Sequence, residues 1–188
     1  RKTEAGSESR EPAGWETDVW AACDSEGIWL FFLSRHPQLS DVANGLLPGG
    51  SYEGYLAAGA GQPYYFFLIE FPSGHLNAQF PTSYRHKSFR PASMERGTLR
   101  TETRPCREGM ATLLFYSWDL FYDRLPVEGT EWPFETIRWT REGGVTFGGS
   151  RSVHNPSSWG ALVFEGLTDD ARRAIQQRLI KKASDRYR

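Results

Sequence analysis

Between Trp15 and Phe164 the chain is a string of short apolar runs, each closed by a Gly, Pro or Asp signal. About eight to ten such runs point to an antiparallel all-β sandwich, jelly-roll-like, rather than a helical or alternating α/β chain. Val19 to Cys23 and Ile28 to Ser34 flank Asp24-Ser25-Glu26-Gly27 and predict a hairpin. Tyr64 to Phe71 and His75 to Phe80 flank Pro72-Ser73-Gly74 and predict a second. Thr98 to Thr103 alternates polar groups and reads as a strand with one wet face. Ala111 to Trp118, Phe134 to Trp139, Val145 to Phe147 and Ala161 to Phe164 supply the remaining strands. The longest apolar run, Ile28 to Leu33, is far short of the roughly 18 residues of a membrane span.

Helical periodicity is convincing only near the C-terminus. Thr168 reads as an N-cap, with Asp169 and Asp170 in the first turn. Ala171, Ile175 and Leu179 form one apolar stripe, and Arg178, Lys181 and Lys182 follow where the helix dipole favours cations. The expected organisation is a polar linker or tail over 1–14, a sandwich over 15–167 and a C-terminal helix over 168–188 packed on or extending from the sandwich. The chain starts at Arg1, which suggests a piece excised from a longer protein.

Charge and motifs narrow the function. The formal net charge is −1, against any protein that simply coats nucleic acid or acidic membrane. One local excess stands out: seven basic residues (Arg85, Lys87, Arg90, Arg96, Arg100, Arg104, Arg107) against Glu95 and Glu102. As an anion groove it would use Tyr84 and Phe89 as stacking platforms. Because the rest of the chain cancels the charge, it reads first as a solvated loop followed by a wet strand. No nucleophile elbow, phosphate loop or dinucleotide fingerprint is present. Glu53, Glu70, Glu102 and Glu135 could supply a glycosidase pair only if the fold set two across a cleft. Four scattered His and two Cys lack zinc spacing. Cys23 and Cys106 are compatible with a disulfide or with two buried thiols.

The aromatic content is unusual, with 7 Trp, 8 Tyr and 12 Phe. A flat ring packs on the C–H face of a sugar while neighbouring polar groups bond its hydroxyls. Most Trp in a sandwich are core, and Trp29 and Trp118, inside apolar strands, are expected there. Trp139 and Trp159 lie beside polar, loop-like sequence and are the better surface candidates.

The order of motifs resembles the family 9-like carbohydrate-binding modules. Tyr52-Glu53, Pro63-Tyr64-Tyr65-Phe66-Phe67 and Phe71-Pro72-Ser73-Gly74 carry its first part. Thr112 to Leu120, Leu125-Pro126, Trp132-Pro133-Phe134 and Arg138-Trp139-Thr140 continue it. Val153-His154-Asn155-Pro156, Trp159-Gly160 and Leu162-Val163-Phe164 resemble its closing strand. Two departures stand out: the acidic strand is reduced to Ser51-Tyr52-Glu53-Gly54, and the aromatic before the closing strand is Phe147.

The resemblance implies a β-sandwich that binds sugars, carried by larger secreted bacterial enzymes that act on polysaccharides. It implies an extracellular, periplasmic or cell-surface location, carbohydrate and a linked catalytic domain as partners, and neither nucleic acid nor membrane. The expected function is non-catalytic carbohydrate binding at about 10–1000 μM. The alternative is a structural or interaction sandwich with no ligand of its own. Trp139 and Phe147 are the expected stacking surfaces, Arg138 and Arg151 the hydroxyl donors, and Glu53 and His154 the orienting groups. No cofactor is expected. Structural calcium occurs in relatives, but the sequence has no acidic cluster to support it.

Overall fold

The computed structural model describes residues 16–35, 50–60, 64–70, 76–83, 88–91, 98–121, 124–140, 143–148 and 155–186. The tail reading of 1–14, the Pro72-Ser73-Gly74 turn, and Arg85, Lys87 and Arg96 of the basic stretch lie outside these residues.

Among the described residues, eleven strands form two antiparallel sheets. In chain order they are β1 (Thr17–Cys23), β2 (Gly27–Arg35), β3 (Ser51–Ala57), β4 (Tyr64–Glu70), β5 (Leu76–Ser83) and β6 (Ser88–Pro91). Then follow β7 (Leu99–Pro105), β8 (Gly109–Ser117), β9 (Glu131–Thr140), β10 (Gly143–Thr146) and β11 (Gly160–Val163). One sheet has four strands in the order β1-β2-β8-β7; the other has seven in the order β10-β9-β3-β4-β5-β6, with β11 also on β9. The all-β sandwich expected from the turn pattern is the observed fold.

The hairpin at Asp24 forms because that side chain organises it. Asp24 Oδ1 accepts the Glu26 and Gly27 backbone N–H groups at 2.7 and 3.0 Å, an Asx-type closure. Oδ2 accepts the Trp29 indole N–H at 2.9 Å.

Side chains alternate across each strand, so register decides which residues meet between the sheets. Phe32 of β2 packs on Tyr52 of β3 at 4.7 Å and edge-on to Phe67 of β4 at 6.4 Å. Gly54 makes room for one of these rings; a Cβ there would fall 1.8 Å from the Phe67 ring. At one end of the core, Trp132 sits among Phe121, Phe164 and Trp118 at 4.8, 4.9 and 6.4 Å. Trp118 is fully buried, as expected, and its indole donates to the Asp24 carbonyl at 2.8 Å. Trp29 corrects the reading of an apolar strand as core throughout. It is half-buried on the outer face of the four-stranded sheet, beside Phe115 and under Arg100.

The single described helix, α1 (Asp169–Arg186), closes the same end of the core. Thr168 Oγ1 accepts the Ala171 N–H at 3.2 Å, an N-cap. Ile175 and Leu179 are buried and Ala171 packs against the core, so the expected stripe faces inward. Two ion pairs fix the helix: Arg178 to Glu26 and Lys182 to Asp119, each at 2.7 Å. Burial pulls the Asp119 carboxyl up. Hydrogen bonds from Lys182 and Ser117 and the charges of Lys182 and Arg178 outweigh it and hold the group below its ordinary value. A depressed carboxylate stabilises above its unfolded pKa of about 3.9 and loses that contribution as pH falls through the folded value. Lys182→Ala is therefore expected to cost about 0.5–1 kcal/mol at pH 7, a modest figure because the ammonium is half exposed. Once the pH falls below the depressed folded value, the variant and parent chain should melt alike. Urea melts at pH 7 and at successively lower pH check this.

Candidate functional site

The outer face of the seven-stranded sheet collects the aromatic and polar groups that the core excludes. Pairing of β3 with β4 and β9 aligns Ser51 with Trp139, Glu53 with Ile137 and Leu68, and Tyr55 with Glu135 and Phe66. These residues share one face because they share one parity. Trp139, 39% exposed, lies at one end. Its indole lies over Gly144, its partner on β10, where a Cβ would come within 2.7 Å of the ring. The missing side chain therefore gives the indole a flat seat beside Ile137.

Glu53 stands two positions along β3, on the same face. Its Oε2 accepts the Tyr55 hydroxyl at 3.0 Å. Burial, then the charge of Glu53 and this hydrogen bond, push the Tyr55 phenol far above its ordinary value. Tyr55 thus stays a neutral donor, and Glu53 keeps acceptor capacity for another hydroxyl. Beyond it, Trp159 packs on Tyr55 and Tyr64 at 5.4 and 5.1 Å, with Phe66 also against Tyr55. This end is closed: Tyr55, Tyr64, Ile137 and Glu135 are all buried.

Glu135 is the residue that sequence reasoning underrated. Strands β10 and β11 share one edge of β9 and leave a gap at Glu135-Thr136. The chain leaving β10 enters that gap. Phe147 N–H donates to the Thr136 carbonyl at 2.9 Å, and Gly148 N–H donates to Glu135 Oε1 at 2.7 Å. The same oxygen takes the Thr136 N–H at 2.9 Å. A fully buried carboxyl thus anchors the segment that carries Phe147. Glu135→Ala is expected to destabilise by about 2–3 kcal/mol, because it orphans the buried Thr136 N–H and the part-buried Gly148 N–H. It should also speed amide exchange at Phe147 and Gly148, which hydrogen exchange would detect.

The six expected site residues divide. Trp139, Phe147 and Glu53 reach solvent wholly or in part, with Phe147 56% exposed. Phe147 does not share the face of Trp139. It follows the β10 register onto the opposite parity and meets Phe134 edge-on at 6.4 Å, at the rim of the sandwich. Arg138 is 3% exposed on the inner face, its guanidinium 5.2 Å from the Tyr52 ring. It cannot serve as a hydroxyl donor beside Trp139, because adjacent strand residues point to opposite sides. Arg151 and His154 lie outside the described residues. Among the described residues no group of three or more His, Cys, Asp or Glu is placed to hold a metal ion. No described helix is long and apolar enough to cross a membrane. Cys23 and Cys106 are both free thiols, each partly exposed.

The chain has the fold of the family 9 carbohydrate-binding modules. A module of that family from Caldicellulosiruptor kristjanssonii, solved in complex with glucose, superposes with a TM-score of 0.52 at 17% identity. The match covers 86% of this chain and 82% of that one. A second structure from the same organism, in complex with cellotriose, gives 0.53 at 16% identity, over 87% and 81%. No family model and no curated protein matches the sequence.

Proposed function

We propose that the domain binds neutral carbohydrate without catalysis, on the outer face of the seven-stranded sheet. The observation that supports this most is the exposed Trp139 indole seated over Gly144, with the Glu53–Tyr55 pair on the same face. An indole offers a flat apolar platform, and Glu53 an acceptor for a ring hydroxyl. Similarity to modules solved with glucose and cellotriose supports a glucose-based ligand. In this reading the parent protein acts on polysaccharide outside the cytoplasm, through a linked catalytic domain, and the module needs no cofactor.

Calorimetric titration with cellotriose at low and high salt tests the proposal. Binding in the range of about 10–1000 μM, unchanged by salt, is expected, since screening acts on charge and not on stacking. Binding only to acidic oligosaccharides, lost with salt, would move the ligand to the basic stretch around Arg100. One observation favours a second reading, a structural domain with no ligand: Trp159 already covers the Tyr55 and Tyr64 end of the face. A folded sample that binds no neutral sugar would select it.

A further inference from the structure

The opposite side of the sandwich carries an apolar slot that the reading above leaves unused. On the outer face of the four-stranded sheet, register aligns Trp20, Phe31, Leu113 and Glu102 in one row across the strands. The next row is Asp18, Leu33, Ala111 and Arg104. Trp20 is 50% exposed and leans on Phe31 at 5.4 Å. Between the rows lies an open groove of about 340 Å³, lined by Phe31, Leu113, Ala111, Glu102 and Arg104. A third row is already covered, since the Arg100 guanidinium lies 4.4 Å from the Phe115 ring.

We propose that this slot is a second binding site, for a neutral polysaccharide chain lying across the strands with Trp20 as its stacking platform. The proposal rests on the reading of the domain as a carbohydrate binder. Size selects the ligand class. The two open rows hold eight residues, over about 14 Å across the strands and about 7 Å along them. A stable protein partner engages about 20–30 residues on each side. A slot one sugar ring wide and a few rings long fits the patch.

Charge selects further. Arg104 is paired with Glu102 and Arg35 with Asp18, so these four rim groups offer donors and acceptors and balance in charge, with Arg100 of the covered row as a neighbouring cation. Such a rim suits hydroxyls, and its paired cations attract an acidic polymer weakly. Two faces that hold sugar would let one domain bridge two chains or grip one long chain twice, so avidity would rise with ligand length.

Cellohexaose titrated into ¹⁵N-labelled protein, with the indole N–H signals of Trp20 and Trp139 followed separately, tests this. The expected result is a saturable shift of Trp20 that persists in Trp139→Ala. Retention of Trp20→Ala on an insoluble glucan should fall about fivefold to tenfold. Trp20 is half exposed, so its loss leaves the fold intact. A shift of Trp139 with Trp20 unmoved would overturn the second site and leave the first standing. No shift at either would overturn both. Self-association in sedimentation velocity that Trp20→Ala abolishes, with no sugar-dependent shift of Trp20, would make the face a contact between copies of the chain and also overturn the proposal.

Discussion

Trp139→Ala is expected to weaken cellotriose binding about tenfold or more, the loss typical of a buried aromatic anchor in a complex. The same change should leave the thermal midpoint within about 2 °C of the parent chain. The two effects separate because the ring is partly exposed and packs mainly on the bare backbone of Gly144 and the edge of Ile137. No interior cavity opens when it is removed. Titration calorimetry and a thermal melt of the same sample give both numbers. A large fall in the midpoint would assign Trp139 to packing and remove it from the site.

Trp132→Ala is the opposite case. That ring is 2% exposed and touches Phe121, Phe164 and Trp118, where η1 (Trp118–Phe121), β9 and the segment leading to α1 converge. Large-to-small changes at such sites cost about 3–5 kcal/mol, transfer and cavity terms together. For a chain of this length the midpoint should fall by roughly 10 °C. Because α1 packs into the same cluster through Ile175 and Leu179, the helix should loosen along with the sheet end. Helix amides that keep full exchange protection in the variant would show that α1 docks independently of the Trp132 cluster.

The fold was legible where turns interrupt the sequence and obscure where they do not. The Asp24 hairpin could be read because Asp, Ser, Glu and Gly sit between two apolar runs. Strand β3 was visible only through the family resemblance, because Ser51–Ala57 contains Gly and Ala, which are weak strand formers. Its Gly54 is there for the Phe67 ring, a contact that only the sheet register reveals. Strand β6 is four residues ending in Pro and carries almost no pattern.

Facing was the harder problem. In Ile28 to Leu33 every residue is apolar, so alternation gives no sign of which side is inward. Register with β8 turned Ile28, Leu30 and Phe32 inward and Trp29 and Phe31 outward. The sequence pattern offers Arg138 and Trp139 together as site residues, yet neighbours on a strand cannot share a face. Glu135 looked like any strand Glu, since the gap between β10 and β11 that gives it a role has no local sequence mark.

If the Trp139 face holds the sugar, a crystal grown or soaked with cellotriose should show a glucose ring stacked on the Trp139 indole, with a hydroxyl within hydrogen-bond distance of the Glu53 carboxylate. A crystal with that face open to solvent and no sugar on it, while cellotriose occupies another part of the molecule, would overturn the Trp139 site.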